Sequence, residues 1–114
     1  MCKYRKPLLS DPDVDITVKT LSRIVCDTHH VIIHQMETDN DHIHYLLETP
    51  PTLSVSDLVR LLKSYTTYHL WQQHSNYLTK YLWKEHTFWT DGYFAASVGT
   101  ISSETIQAYI ANQG

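Results

Sequence analysis

Two β-rich runs on either side of a three-residue polar turn constrain the middle of this chain. Residues 31–37 (VIIHQME) are dominated by β-branched and apolar side chains and lead into Asp39-Asn40-Asp41, a cluster suited to a tight turn. Residues 42–49 follow at once, and Pro50-Pro51 end the second run because proline cannot donate to a β-ladder. The expectation is an antiparallel hairpin with strands over 31–37 and 42–49.

Helices flank the hairpin in the pattern. From Asp13, a good N-cap, Val14, Val18, Leu21 and Val25 recur at steps of four, three and four, which predicts a helix to about Thr28. Beyond the prolines, Ser54 or Ser56 caps a second helix. Its apolar positions Leu58, Val59, Leu61, Leu62, Tyr65 and Leu70 lie opposite Arg60 and Lys63, and it is expected to end near Gln73. The stretch 74–89 is dense in Tyr, Trp and Lys with mixed periodicity and reads as irregular structure with some helix. Asp91-Gly92 suggests a turn into a strand over 93–98, closed by Gly99. Ser102 with Glu104 then begins a short helix in which Ile106 and Ile110 share one face and Tyr109 and Gln113 another.

With 114 residues and no repeat or linker, the chain has room for a single domain spanning 1–114. A formal charge of −3 excludes a global basic field that would attract nucleic acid non-specifically, so any nucleic-acid function must be local. No apolar run approaches the roughly 18 residues needed to cross a bilayer, and the first residues lack a signal-peptide h-region. A cytoplasmic protein without membrane partners is expected. Cys2 and Cys26 are too few for a disulfide framework and are expected to stay thiols.

The sharpest chemical feature is His42-Ile43-His44. Residues two apart on a strand point to the same face, so both imidazoles can meet one divalent ion without backbone distortion. A third ligand must come from elsewhere, and a structural pair of histidines is the bland alternative. Tyr109 is a second candidate, because a phenol near an anion-stabilising metal can act as a nucleophile, and Gln113 one turn later could reach whatever it faces. Lys3, Arg5 and Lys6 around Tyr4 form a small basic patch that could touch phosphates or be a solvated end. His29 and His30 belong to a helix end, His34 to its sheet neighbours, and His69, His74 and His86 show no partner at ligand spacing. Trp71, Trp83 and Trp89 could stack on unpaired bases but also suit a core or its edge.

The blocks KYRKPLL, DHIHYLLETPP, LVRLLKSYTTY, FWTDGYFAASVG and ETIQAYIANQ, in that order, cover nearly the whole chain from Lys3 to Gln113. Together they resemble the small single-tyrosine HUH transposases (IS200-like) of insertion sequences that move as single-stranded DNA. The resemblance implies an α+β fold with a ferredoxin-like, RRM-like antiparallel sheet and helices packed on one face. It also implies that His42 and His44 of the HUH motif and Gln113 hold Mg²⁺ or Mn²⁺, that Tyr109 is the nucleophile, and that a 5′-phosphotyrosine link forms and is later rejoined. The implied partners are single-stranded DNA with hairpin ends and a second copy of the chain, in a homodimer whose active sites are shared between chains.

One departure from that family is visible. The family begins with a further β-strand ahead of its KYR block, whereas this chain starts at Met1-Cys2-Lys3, so the sheet is expected to lack its first strand. The rival expectation is therefore a catalytically impaired or domesticated protein that binds hairpin DNA without cutting it. A third reading is an unrelated α+β domain whose His42 and His44 are structural.

Overall fold

The computed structural model describes residues 1–82 and 85–97. Trp83 and the expected short helix carrying Tyr109 and Gln113 lie outside the described residues. Two helices and one antiparallel hairpin make the framework, in the order α1 (Pro12–Thr28), β1 (Ile32–Thr38), β2 (Ile43–Glu48) and α2 (Val55–Thr79). Two short 3₁₀ turns, Lys3–Arg5 and Leu8–Ser10, precede α1.

The first helix is capped by Asp11 rather than Asp13. The Asp11 carboxylate accepts from the backbone N–H groups of Asp13 and Val14 at 2.9 and 3.1 Å. Pro12 at the first helical position has no N–H to lose, so the cap falls one step before it. Val14, Val18, Leu21 and Val25 are buried as the periodicity requires. At the other end His29 is the C-cap, and His30 takes the left-handed conformation (φ 60°) that commonly ends a helix.

The hairpin forms as expected, with Ile33 opposite Leu47, Met36 opposite Tyr45, Glu37 opposite His44 and Thr38 opposite Ile43. The Asp39 N–H donates to the His42 carbonyl at 2.9 Å and closes the turn. An irregularity between Ile33 and Gln35 leaves His34 outside the register, exposed and 3.9 Å from Glu48. Ile33, Tyr45 and Leu47 pack on Val25 and Cys26 of α1 and on Leu58 and Leu62 of α2, so both helices cover the same face of the sheet. This is the α+β arrangement expected, and among the described residues the sheet has two strands.

The second helix runs past Gln73. Ser54 caps it, accepting from the Asp57 N–H at 3.1 Å, and it continues to Thr79 through a break at His74 (φ −129°, ψ 29°). The break coincides with a tertiary contact, His74 Nε2 to Thr17 Oγ1 at 2.9 Å, and beyond it Leu78 and Leu82 enter the core. Of the stretch read as irregular, residues 74–79 are therefore helical.

The strand expected over 93–98 is not formed over residues 93–97, and Val98 lies outside the described residues. The Lys63 ammonium donates to the carbonyls of Thr90, Asp91 and Gly92 at 2.6, 3.1 and 3.0 Å. That gathers the chain onto α2 and leaves Tyr93 and Phe94 exposed. The extended pairing falls earlier, at a bridge between Trp89 and Cys2. Residues 1–3 lie between two neighbours: the Cys2 N–H donates to the Asp41 carbonyl at 2.6 Å, while Lys3 N–H bonds Phe88 O at 2.7 Å and Thr90 N–H bonds Met1 O at 2.8 Å.

Trp71 and Trp89 are internal rather than free to stack on bases. Their indole N–H groups donate to the Thr87 carbonyl and to Thr66 Oγ1, both at 2.8 Å. The thiols of Cys2 and Cys26 are free and buried, and burial pushes them up to about 12 and about 11, which keeps them protonated and unreactive at neutral pH. Among the described residues no helix is long and apolar enough to cross a membrane.

Phe88 is fully buried where the N-terminal segment, α1 and α2 meet. Phe88→Ala is expected to cost about 3–5 kcal/mol, read as a lower urea midpoint, whereas Ile16→Ala, at a 61% exposed position of α1, is expected to stay within about 0.5 kcal/mol of the parent.

Candidate metal centre

The site grows out of strand alternation. Ile43, Tyr45 and Leu47 of β2 pack towards the helices, so His44 faces the opposite side of the sheet. His42, one residue before β2 begins, sits two positions from His44 and on the same side. The two rings meet edge to face, with centroids 4.7 Å apart and planes at 78°. The spacing of the sequence motif is therefore translated into one paired site. Glu37, directly across from His44, shares that face.

The imidazoles are differently held. His42 Nδ1 lies 2.7 Å from Asp41 Oδ1, and Asp41 Oδ2 lies 3.4 Å from Arg5 Nε. The His42 contact, followed by Arg5, lowers the Asp41 carboxyl below its usual range, so it stays ionised at neutral pH. The Nε2 atoms of both His42 and His44 are buried and have no hydrogen-bond partner among the described residues. Burial, reinforced by His42, lowers the His44 pKa, which keeps its ring neutral and its lone pair available.

A buried polar nitrogen without a partner is costly unless something fills its coordination. Two such nitrogens on facing rings, one ring oriented by a carboxylate through its other nitrogen, are what a divalent ion held by histidines requires. The residues present fit Mg²⁺ or Mn²⁺, with imidazole favouring Mn²⁺. Among the described residues, no group of three or more His, Cys, Asp or Glu side chains is arranged to hold an ion. Tyr109 and Gln113, the expected nucleophile and third ligand, lie outside the described residues.

Asp41 and its link to Arg5 were not read from the pattern, where Asp41 served as a turn former and Arg5 as part of a basic patch. Neighbouring residues of a strand point to opposite faces, which argues against an adjacent Asp and His sharing a site. Asp41 escapes that alternation because it belongs to the turn and not to β2. The remaining histidines stand apart: His69 packs against Tyr65 and Tyr68, and His86 stacks on Trp71 at 4.3 Å. A groove of about 880 Å³ on the outer side of α2, lined by Arg60, Lys63, Trp71, His86 and Tyr93 among others, does not include His42, His44 or Asp41.

The described residues thus form an antiparallel hairpin backed by two helices, with paired imidazoles on the face turned away from those helices. The family model for IS200-like transposases matches residues 1–113, and the chain belongs to that family. It is 38% identical over 96 residues to the transposase for insertion sequence element IS200 from Salmonella typhimurium strain LT2, and equally so to that of Salmonella typhi. The match covers 84% of this chain and 61% of each relative, so the chain spans about three-fifths of their length. A crystal structure of a candidate transposase from Deinococcus radiodurans R1 superimposes with a TM-score of 0.75 at 26% identity, covering 98% of this chain and 84% of that one.

In the metal-free chain the His44 imidazole is expected to titrate below its ordinary value of 6.5. The unfolded chain takes up that proton first as pH falls, so the contribution to stability is complete above 6.5 and is lost as pH drops through the lowered folded value. Long-range ¹H–¹⁵N NMR of the His44 ring between about pH 5 and 8 checks this; a midpoint above the ordinary histidine value contradicts it.

Proposed function

We propose that this chain, as an IS200-like transposase, cleaves and rejoins single-stranded DNA after recognising hairpins at the ends of an element. Tyr109 is the nucleophile in this reading, and His42, His44 and Gln113 hold Mg²⁺ or Mn²⁺. The observation that carries it is the pair of buried Nε2 atoms of His42 and His44, without partners among the described residues, in a chain of this family.

The residue types suit the chemistry. Two neutral imidazoles and an amide oxygen add no negative charge, so a cation held by them, when bound, keeps its full pull on the scissile phosphate. The phenol oxygen of Tyr109 forms a bond to phosphorus as its proton departs. The P–O3′ bond breaks, and the leaving oxygen takes up a proton to become a free 3′-OH. The 5′-phosphotyrosine so formed keeps the phosphoester, and a 3′-OH that attacks it in the reverse sense restores the strand and releases the phenol. His42 and His44 serve by position, because one stands on β2 and the other directly before it, with the Asp41 carboxylate against the His42 ring.

Tyr109→Phe is expected to leave hairpin binding nearly unchanged and to remove the covalent protein–DNA product. His42→Ala is expected to reduce Mn²⁺-dependent cleavage to background, because the remaining ligands hold an ion too loosely to align a phosphate. An adduct of Tyr109→Phe that survives denaturing electrophoresis, or equal cleavage by the parent chain in EDTA and in Mn²⁺, contradicts the reading. Intact hairpin binding with no cleavage by the parent chain under any divalent ion favours a DNA-binding protein without chemistry.

The reading extends to a homodimer in which Tyr109 and Gln113 of one chain complete the His42 and His44 pair of the other. Ile106 and Ile110 are the evident anchors of the C-terminal helix pattern, and so short a helix needs a docking surface to be stable. Mixing the Tyr109→Phe chain with the His42→Ala chain is then expected to restore cleavage, since each heterodimer contains one intact composite site. If each site forms within one chain, the mixture stays inactive at every ratio.

A further inference from the structure

We propose that Asp41 is a positioning residue for the imidazole pair: its carboxylate fixes His42 as the Nδ1–H tautomer, which leaves Nε2 unprotonated to ligate a cation, and Arg5 holds that carboxylate in place. The inference rests on the metal reading above, but it concerns a property of the metal-free chain. An ionised carboxylate can only accept, so the 2.7 Å contact between Asp41 Oδ1 and His42 Nδ1 makes Nδ1 the donor. A neutral imidazole carries one ring proton, and with it on Nδ1 the Nε2 atom presents a lone pair. That atom is buried without a partner among the described residues, as is Nε2 of His44 on the facing ring.

The carboxylate is anchored independently of His42. Oδ2 takes the Arg5 Nε at 3.4 Å, and the Asp41 carbonyl accepts the Cys2 N–H at 2.6 Å, so the residue is tied to the N-terminal segment by side chain and main chain. The backbone that delivers Arg5 is itself unusual. Tyr4 and Arg5 are consecutive non-glycine residues at φ 57° and 53°, a left-handed conformation that L-residues avoid unless their surroundings impose it. Tyr4 is held there by its hydroxyl donating to Glu85 Oε1 at 2.8 Å, and Arg5 by Asp41.

Asp41→Asn gives a discriminating test, because the guanidinium of Arg5 can only donate. The amide oxygen of the variant turns to Arg5, and its NH₂ group is left facing His42 Nδ1, which must then accept. The expected result is a switch of His42 to the Nε2–H tautomer in ¹⁵N NMR of the metal-free chain, with Mn²⁺ affinity by calorimetry weakened roughly 10- to 100-fold. Adding Arg5→Met frees the amide to turn its oxygen back to His42, so the double variant is expected to regain the Nδ1–H tautomer and most of the Mn²⁺ affinity. A merely structural Asp41 predicts no such rescue. The parent chain alone supplies a further check, since its His42 is expected to show Nδ1–H without any substitution. The proposal is overturned if the parent His42 is Nε2–H, or if Asp41→Asn changes neither tautomer nor Mn²⁺ affinity. A parent chain that shows Nδ1–H and switches on substitution, yet binds no Mn²⁺, upholds the positioning role and overturns the metal reading instead.

Discussion

Asp41 ties three parts of this fold to one another. Its backbone carbonyl takes the Cys2 N–H, and residues 1–3 in turn bond the segment around Trp89, so the hairpin is linked through Asp41 to the chain that follows α2. Its carboxylate reaches in two further directions, to the His42 ring and to Arg5. A turn residue is well placed for this, because it has left the ladder and its polar groups are not committed to strand pairing. The geometry of the free sheet face therefore depends on how the N-terminal segment docks, as well as on the hairpin's own register.

The second anchor of that docking is Lys63. By gathering the carbonyls of Thr90, Asp91 and Gly92, it fixes where the chain turns after Trp89, and Trp89 itself is tied to α2 through Thr66. Desolvation lowers the Lys63 pKa, as expected of an ammonium drawn against the protein, but three carbonyl partners satisfy its donors. From the sequence Lys63 reads as a solvated residue opposite an apolar stripe. Its aliphatic stem lies along α2 while its head closes a turn, a use that helical periodicity does not reveal.

What could be read from the sequence follows the range of the interactions involved. The hairpin is local: β-branched runs, a polar turn and a proline stop act within about twenty residues, and the register that results puts His42 and His44 on one face. The same holds for Ser54 as a cap and for the buried stripe of α1. Residues 93–97 look strand-like from composition, yet a strand needs a partner, and Lys63 gathers the preceding residues 90–92 onto α2 and leaves 93–97 exposed. The helix α2 runs past the end its periodicity predicts for a similar reason. His74 interrupts the helix where it meets Thr17 of α1, and the buried Leu78 and Leu82 beyond the break carry the chain back into the core. Residue type and spacing offer Tyr109 and Gln113 only as candidates, and the family resemblance gives them definite roles, while the orientation of His42 depends on the turn and the N-terminal segment together.

The electrostatics of the free face follow from these placements. Neutral imidazoles alone would bind a cation weakly, since they bring lone pairs but no charge, and a carboxylate ligand in their place would reduce the ion's pull on a phosphate. Asp41 lies between these extremes. Its carboxylate contacts the Nδ1 side of the His42 ring and so remains outside any coordination made by the Nε2 atoms. Arg5 then partly offsets the same charge from the solvent side, where its side chain is 73% exposed. In the proposed site an ion held by the imidazoles would thus be backed by a carboxylate it does not touch.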